Sequence, residues 1–187
     1  MGKHRSRPRN GSFDPNESVG LVLGRWGNPE CDLLIAGDGS GSSWNKPCGW
    51  AAVIIDTHSN RRMNLSGGAS HGGTLYAELQ AFVHAIDWHE RIRGDARRMA
   101  LGKDRLDVLL VTDCLSIVQA GSRIAHGERT PESYASARAS WCALWSFSDR
   151  HRFSFRHVPR GSIALNVAAD AAAGKMRRAI GMRDDCR

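Results

Sequence analysis

The chain has 187 residues, a formal net charge of +7, 41% hydrophobic and 24% charged residues, and a pI near 9.6. That balance excludes a fibrous or disordered protein and suits one domain with its own core. No apolar run approaches membrane-spanning length and the N-terminus has no apolar signal core, so the expected location is the cytoplasm, with no membrane partner.

The excess positive charge favours a polyanionic partner, nucleic acid first. The five cysteines, Cys31, Cys48, Cys114, Cys142 and Cys186, are odd in number, and no two are spaced as C-x-x-C. They argue against a disulfide framework or a zinc site and fit a reducing compartment. The histidines include no H-E-x-x-H, since His89-Glu90 is followed by Arg-Ile-Arg.

Residues 1–30 read as a basic arm, with Lys3, Arg5, Arg7 and Arg9 ahead of any acid. Such an arm is either a solvated terminus or a source of phosphate affinity without sequence preference. Leu21, Val22 and Leu23 mark a short strand or packed segment within it. The domain is expected over 31–182, with a short tail at 183–187.

Leu33 to Ser40 is an apolar run that ends in Asp38 and turns on glycine, so it reads as a buried strand. A carboxylate at such a strand end either starts a tight turn or pairs with a cation. A loop through Trp44 and Asn45 leads to a second strand over 49–56. Residues 61–66 alternate as a half-exposed third strand, and the short turns suggest an antiparallel meander. Leu75, Leu79, Phe82, Val83 and Ile86 then recur at helical spacing over 74 to about 92, with Glu78 beside the stripe. A basic segment follows, holding Arg91, Arg93, Arg97, Arg98, Lys103 and Arg105.

Leu106 to Asp113 repeats the first strand's pattern: an apolar run ending in Asp. A helix carrying Ile117, Val118, Gly121 and Ile124 follows. Pro131 and Glu132 open another, striped by Tyr134, Trp141, Leu144 and Trp145. Phe153 and Phe155 alternate with polar residues in a last strand that delivers His157. An Ala-rich helix runs from Ile163 to about Ile180, and Asn166 and Asp170, four apart, share one face of it.

Four acids therefore stand at informative places: Asp38 and Asp113 at strand ends, Glu78 and Asp170 on helices. Clustered carboxylates repel one another unless a cation intervenes. Magnesium suits them because it prefers oxygen ligands. Two such ions about 3.5–4 Å apart can hold the attacking and leaving oxygens of a phosphoryl displacement. The residues themselves thus point to metal-dependent cleavage of a phosphodiester.

Asp38-Gly39-Ser40, Ala77-Glu78-Leu79-x-Ala81, Thr112-Asp113, and His157-Val158-Pro159-Arg160 followed by Asn166-x-x-Ala169-Asp170 stand in order on the expected elements. With these motifs the chain resembles the ribonuclease H family, its hybrid-cleaving type 1-like branch, from about Leu33 to Arg178. The resemblance implies an α/β fold with a five-stranded mixed sheet, three antiparallel strands then two parallel, flanked by helices. It implies two Mg²⁺ (or Mn²⁺) ions bound by Asp38, Glu78, Asp113 and Asp170. The implied activity is hydrolysis of the RNA strand of an RNA–DNA hybrid to 5′-phosphate and 3′-hydroxyl ends; separately, the chain is expected to act as a monomer. His157 takes the place of the family's mobile histidine, which assists proton transfer or product release, a role that suits histidine as a residue type. The alternative for His157 is a strand-end histidine bonded to a neighbouring backbone group.

The chain departs from the family in several places. Ser70-His71-Gly72-Gly73-Thr74-Leu75 stands where asparagines often read the RNA minor groove, so hybrid recognition is expected to differ. The segment from His157 to Asn166 is longer than usual, and Cys114 replaces a serine. The basic helical protrusion of some members is short or absent, and the Arg-rich 91–105 stretch or the N-terminal arm is a candidate replacement. Candidate nucleic-acid contacts are Gly39, Ser40, Asn45, Arg97, Arg98, Arg160 and Asn166. Trp44 either touches substrate or folds onto the core.

Other readings compete. The fold could carry a nuclease for another nucleic acid, or a hybrid-binding module without catalysis. Gly68-Ala69-Ser70-His71-Gly72 fits G-x-S-x-G, so Ser70 with Asp113 and His157 has the chain order of an α/β-hydrolase triad. That reading leaves Asp38, Glu78 and Asp170 unexplained. The Gly-rich turn at Asp38 fails as a dinucleotide loop, because Ser42 holds the third glycine's place and a strand follows.

Overall fold

The computed structural model describes residues 31–126 and 137–184. The basic arm, the 21–23 segment, Pro131, Glu132, Tyr134 and Cys186 lie outside the described residues, as does the side chain of Ile124. Strands β1 (Leu33–Ser40), β2 (Cys48–Asp56) and β3 (Arg61–Ala69) come first. Helix α1 (Thr74–His89), a π-helical turn (Glu90–Gly94) and α2 (Asp95–Leu101) follow. Then come β4 (Leu106–Thr112), α3 (Leu115–Ala125), α4 (Arg138–Trp145), β5 (His151–His157) and α5 (Ala164–Asp184).

The five strands lie in the order β3-β2-β1-β4-β5. β1 pairs antiparallel with β2, and β2 with β3; β1 pairs parallel with β4, and β4 with β5. This is the mixed sheet expected from the sequence. β1 and β4 are covered on both faces, which explains their unbroken apolar runs. Leu33 and Ile35 join Leu79, Phe82, Ile86, Trp141 and Leu144 in one core. Leu34 and Ala36 point the other way, into a core with Val111, Ile163 and Leu165. Farther along, Ala169 and Ala173 of α5 pack on Ala51. A Cβ on Gly49 would stand 2.2 Å from the Ala173 carbonyl oxygen, so glycine at this point of β2 lets the backbone of α5 close on the sheet.

Two elements run on beyond their sequence patterns. β3 continues through Gly67 and Gly68 to Ala69. The alternation stops there because a Cβ on Gly67 would meet the Trp50 ring at 2.4 Å. The helical segment expected to end near residue 92 continues to Leu101, and Gly102 stops it in the left-handed region at φ 61°. The π-turn shifts the helical phase at Glu90, which hides the continuation from a 3.6-residue pattern. Among the described residues, no helix is long and apolar enough to cross a membrane.

The Arg-rich stretch is absorbed into the end of the sheet where β1 begins. Arg97 pairs with the buried Asp56. Arg98 pairs with Glu90 at 2.7 Å and with Asp95 at 2.5 Å. Lys103 Nζ donates to both oxygens of the buried Asp32, at 2.9 and 2.8 Å. Asp32 also accepts the Asp107 N–H and contacts His58 Nε2, each at 2.8 Å. Removing the acid strands these donors. Asp32→Ala is therefore expected to destabilise the fold by about 3 kcal/mol, read as a lower urea midpoint at unchanged m-value.

Candidate active site

Asp38 sits near the end of β1, buried to 1% exposure. Glu78 reaches it from the second turn of α1, and Gly39 is the reason it can. A Cβ there would stand 2.2 Å from the Glu78 backbone nitrogen, so only glycine lets the helix rest on the strand end. Asp113 directly follows β4, the parallel neighbour of β1. One carboxylate oxygen from each of Asp38, Glu78 and Asp113 lies within 4.8 Å of the others.

Little inside the protein answers these charges. Asp38 Oδ2 is buried with no hydrogen-bond partner. Glu78 Oε2 accepts one bond from Thr112 Oγ1 at 3.2 Å. Burial pushes Asp38 up to about 7, and Asp113 and Asp170 add to the rise, while Arg160 and the Gly39 N–H oppose it. Burial, then Asp38 and Asp113, push Glu78 up to about 9. A buried, all-oxygen cluster with an orphaned acceptor fits a hard divalent cation.

The fourth acid stands beside this group. Asp170 is on α5, 46% exposed, and accepts from Arg160 Nη2 at 2.8 Å. Arg160 Nε lies 3.8 Å from Asp113 Oδ2, so one guanidinium spans two of the acids. His157, the last residue of β5, bonds through Nε2 to the Asp113 carbonyl oxygen at 3.2 Å. This is the backbone bond that the sequence left as an alternative, made within the acidic site. Because a carbonyl only accepts, the proton is on Nε2 and Nδ1 carries the free lone pair. Asn166 is buried on α5 with both amide atoms unpartnered.

The other singled-out residues divide. Gly39 and Ser40 end β1 next to the acids. Asn45 is exposed in the β1–β2 loop, and its Oδ1 accepts from Ser43. Trp44 is 53% exposed and meets Tyr76 edge-on, so it does not fold into the core. Arg97 and Arg98 are not part of this group; they lie in the ion pairs at the opposite end of the sheet. Ser70 stands just past the edge strand with its hydroxyl on His71 Nδ1 at 2.9 Å, so the hydrolase triad does not assemble. Thr112 is the site residue to which the sequence assigned no role: its hydroxyl takes the Cys114 N–H and donates to Glu78. A Thr beside a strand-end Asp was the available signal.

No family model matches the chain, and no curated protein matches it. Solved structures do. The N-terminal RNase H domain of a Mycobacterium tuberculosis protein aligns at TM-score 0.54 and 18% identity, over 83% of this chain and 99% of that one. RNase H1 of Halobacterium salinarum aligns at 0.55 and 18%, over 77% and 96%. The metagenomic compost enzyme LC11-RNase H1 aligns at 0.60 and 19%, over 79% and 96%. The latter has also been solved in complex with an RNA/DNA hybrid, and that structure aligns at 0.55 and 18%, over 79% and 97%. The chain has the ribonuclease H fold. Within that fold the acids occupy the adjoining ends of the two central parallel strands and the helices packed against them, where open α/β sheets carry their ligands.

Two measurements test the site without assuming an activity. Gly39→Ala is expected to cost about 1–3 kcal/mol and to shrink the thermal shift produced by Mg²⁺, because it lifts Glu78 away from Asp38. The second concerns pH. Acids raised in the folded state destabilise it when ionised, so that loss grows as pH climbs from the unfolded carboxylate range through about 7 for Asp38 and about 9 for Glu78. In EDTA, Glu78→Gln should therefore melt higher than wild type at pH 8, with the difference vanishing at pH 4.

Proposed function

We propose that the protein is a metal-dependent endoribonuclease that hydrolyses the RNA strand of RNA–DNA hybrids to 5′-phosphate and 3′-hydroxyl ends. The observation that carries this reading is the triad of buried Asp38 and Glu78 with partly buried Asp113, a carboxylate oxygen of each within 4.8 Å of the others, and Asp38 Oδ2 without a partner. The likeness to RNase H1 structures, one of them in complex with an RNA/DNA hybrid, supports the substrate class.

Asp38, Glu78, Asp113 and Asp170 would hold two Mg²⁺ ions. When bound there, such ions would supply Lewis-acid chemistry toward a phosphodiester. The chain's own residues do the rest. Thr112 holds Glu78 in the rotamer that faces Asp38. Asp113 fixes His157 through its backbone carbonyl, which leaves Nδ1 as the ring atom able to take or relay a proton. Arg160, a long and exposed side chain held by Asp113 and Asp170, supplies a positive charge beside the place where phosphate must sit. Backbone and sugar contacts suffice for such cleavage, so no base preference is expected.

The deciding experiment is cleavage of a labelled hybrid by wild type and Asp113→Asn, with Mg²⁺ or EDTA. Duplex RNA, duplex DNA and single-stranded RNA run alongside. Cutting confined to the hybrid's RNA strand, and abolished by EDTA and by Asp113→Asn, is the expected outcome. Binding without cutting would reassign the protein as a hybrid-binding module; cutting of a different nucleic acid would retain the metal chemistry and change the substrate. His157→Ala should lower kcat by about a hundredfold while leaving KM near wild type, as removal of a proton-transfer group does.

A further inference from the structure

A second cluster of metal-binding side chains lies at the other end of the sheet. His89 ends α1, Glu90 opens the π-turn, and His151 opens β5 opposite Leu106 at the start of β4. The carboxylates sit where β4 and β5 finish, about 20 Å away along the strands. His89 and His151 are 1% and 0% exposed.

The hydrogen bonds at His151 leave a gap that needs a cation. His151 Nδ1 is 3.2 Å from the Phe147 carbonyl oxygen, which can only accept, so Nδ1 carries the proton. The neutral ring then turns the lone pair of Nε2 toward Glu90 Oε1, another acceptor, 3.1 Å away. Two lone pairs at contact distance in a buried site repel. His89 is the third member: both its ring nitrogens are buried without a partner, and one of them must present a lone pair. A ligand atom of each of the three residues lies within 4.8 Å of the others.

We propose that His89, Glu90 and His151 form a zinc site, independent of the carboxylate centre, that ties the end of α1 to the start of β5. Two imidazoles and a carboxylate are a donor set that zinc accepts, with bonds of about 2.0–2.2 Å. Neighbouring ligands of a tetrahedral ion at that range stand about 3.3 Å apart, close to the separation of Nε2 and Oε1. The surroundings are those of a supported site. Phe147 orients the far nitrogen of His151, and Arg98 donates to both Glu90 oxygens, at 2.7 and 3.2 Å. Phe153 stacks on the His151 ring at 6°. A Cβ on Gly94 would stand 2.4 Å from Glu90 Oε1, so glycine leaves room for the carboxylate. The π-turn that begins at Glu90 is the kind of helix irregularity that gathers at functional sites. Arg98 and Arg150 also approach Glu90, and the occupant that competes with zinc is a proton on His151 Nε2.

The test is titration of Co²⁺, then Zn²⁺, into the full chain in excess Mg²⁺, which keeps the carboxylate centre occupied. One equivalent of Co²⁺ is expected, with visible bands of low-coordinate cobalt, no thiolate charge-transfer band, and displacement by Zn²⁺. Zinc at a hundredfold excess over Kd should raise Tm by about 5–10 °C. Asp38→Asn should keep this equivalent, and His89→Gln and His151→Gln should lose it. On the wild type, zinc should also move the ring resonances of two buried histidines, a readout that stands even if a variant fails to fold. No bound equivalent, a thiolate band, loss in Asp38→Asn, or retention in a folded His151→Gln would each overturn the site.

Discussion

The approach of α1 to the end of β1 is the constraint on which the acidic site depends. Gly39 has no Cβ, so the Glu78 backbone can lie against the strand and its carboxylate can share a buried space with Asp38. Asp113 enters that space because β4 lies parallel and adjacent to β1. Gathering these charges costs stability: burial and mutual repulsion drive Asp38 and Glu78 far above the ordinary carboxylate range. A fold selected for stability alone would replace one of them with an apolar residue. Their retention as a set is intelligible if a cation is their normal partner.

The sequence was most legible where periodicity and burial agree. β1 and β4 are covered on both faces, so their apolar runs and terminal aspartates could be read directly. The stripe of α1 was equally plain, because Leu79, Phe82 and Ile86 all enter one core. Legibility failed where the phase changes. The π-turn broke the 3.6-residue pattern at Glu90, so α2 was read as a basic segment. The charge count then suggested nucleic acid for Arg97 and Arg98, whereas both are consumed by Asp56 and Glu90. Composition reports how much charge a chain has, and only the fold reveals how much of it is already paired.

Spacing rules are equally blind to side chains that only the fold assembles. His89-Glu90 has no second histidine at helical distance. The partner arrives from β5, and nothing in the local sequence announces it. Thr112 is a milder case. Its neighbour Asp113 was read as a ligand, but its bond to Glu78 crosses from strand to helix and needs the three-dimensional arrangement to be seen.

Polar satisfaction separates structure from chemistry across this molecule. At the base of the sheet, Asp32 is as buried as Asp38, yet it accepts from Lys103 and the Asp107 N–H and contacts His58. It behaves as a fold-holding acid, and hydrogen bonds from Lys103, Asp107 and His58 keep it below its usual range although burial works against them. Asp38 is buried as well, and it has an oxygen with no partner. The two aspartates share one strand region and one residue type, so neither propensity nor burial distinguishes them. What distinguishes them is whether the chain supplies the counter-charge. By that criterion the Asp38 cluster falls on one side and the Asp32 network on the other; at His89–Glu90–His151 the arginines answer the carboxylate, and the imidazole nitrogens are what the chain leaves without a partner. Unanswered buried charge and lone pairs are costly, and they persist where something from outside the chain completes them.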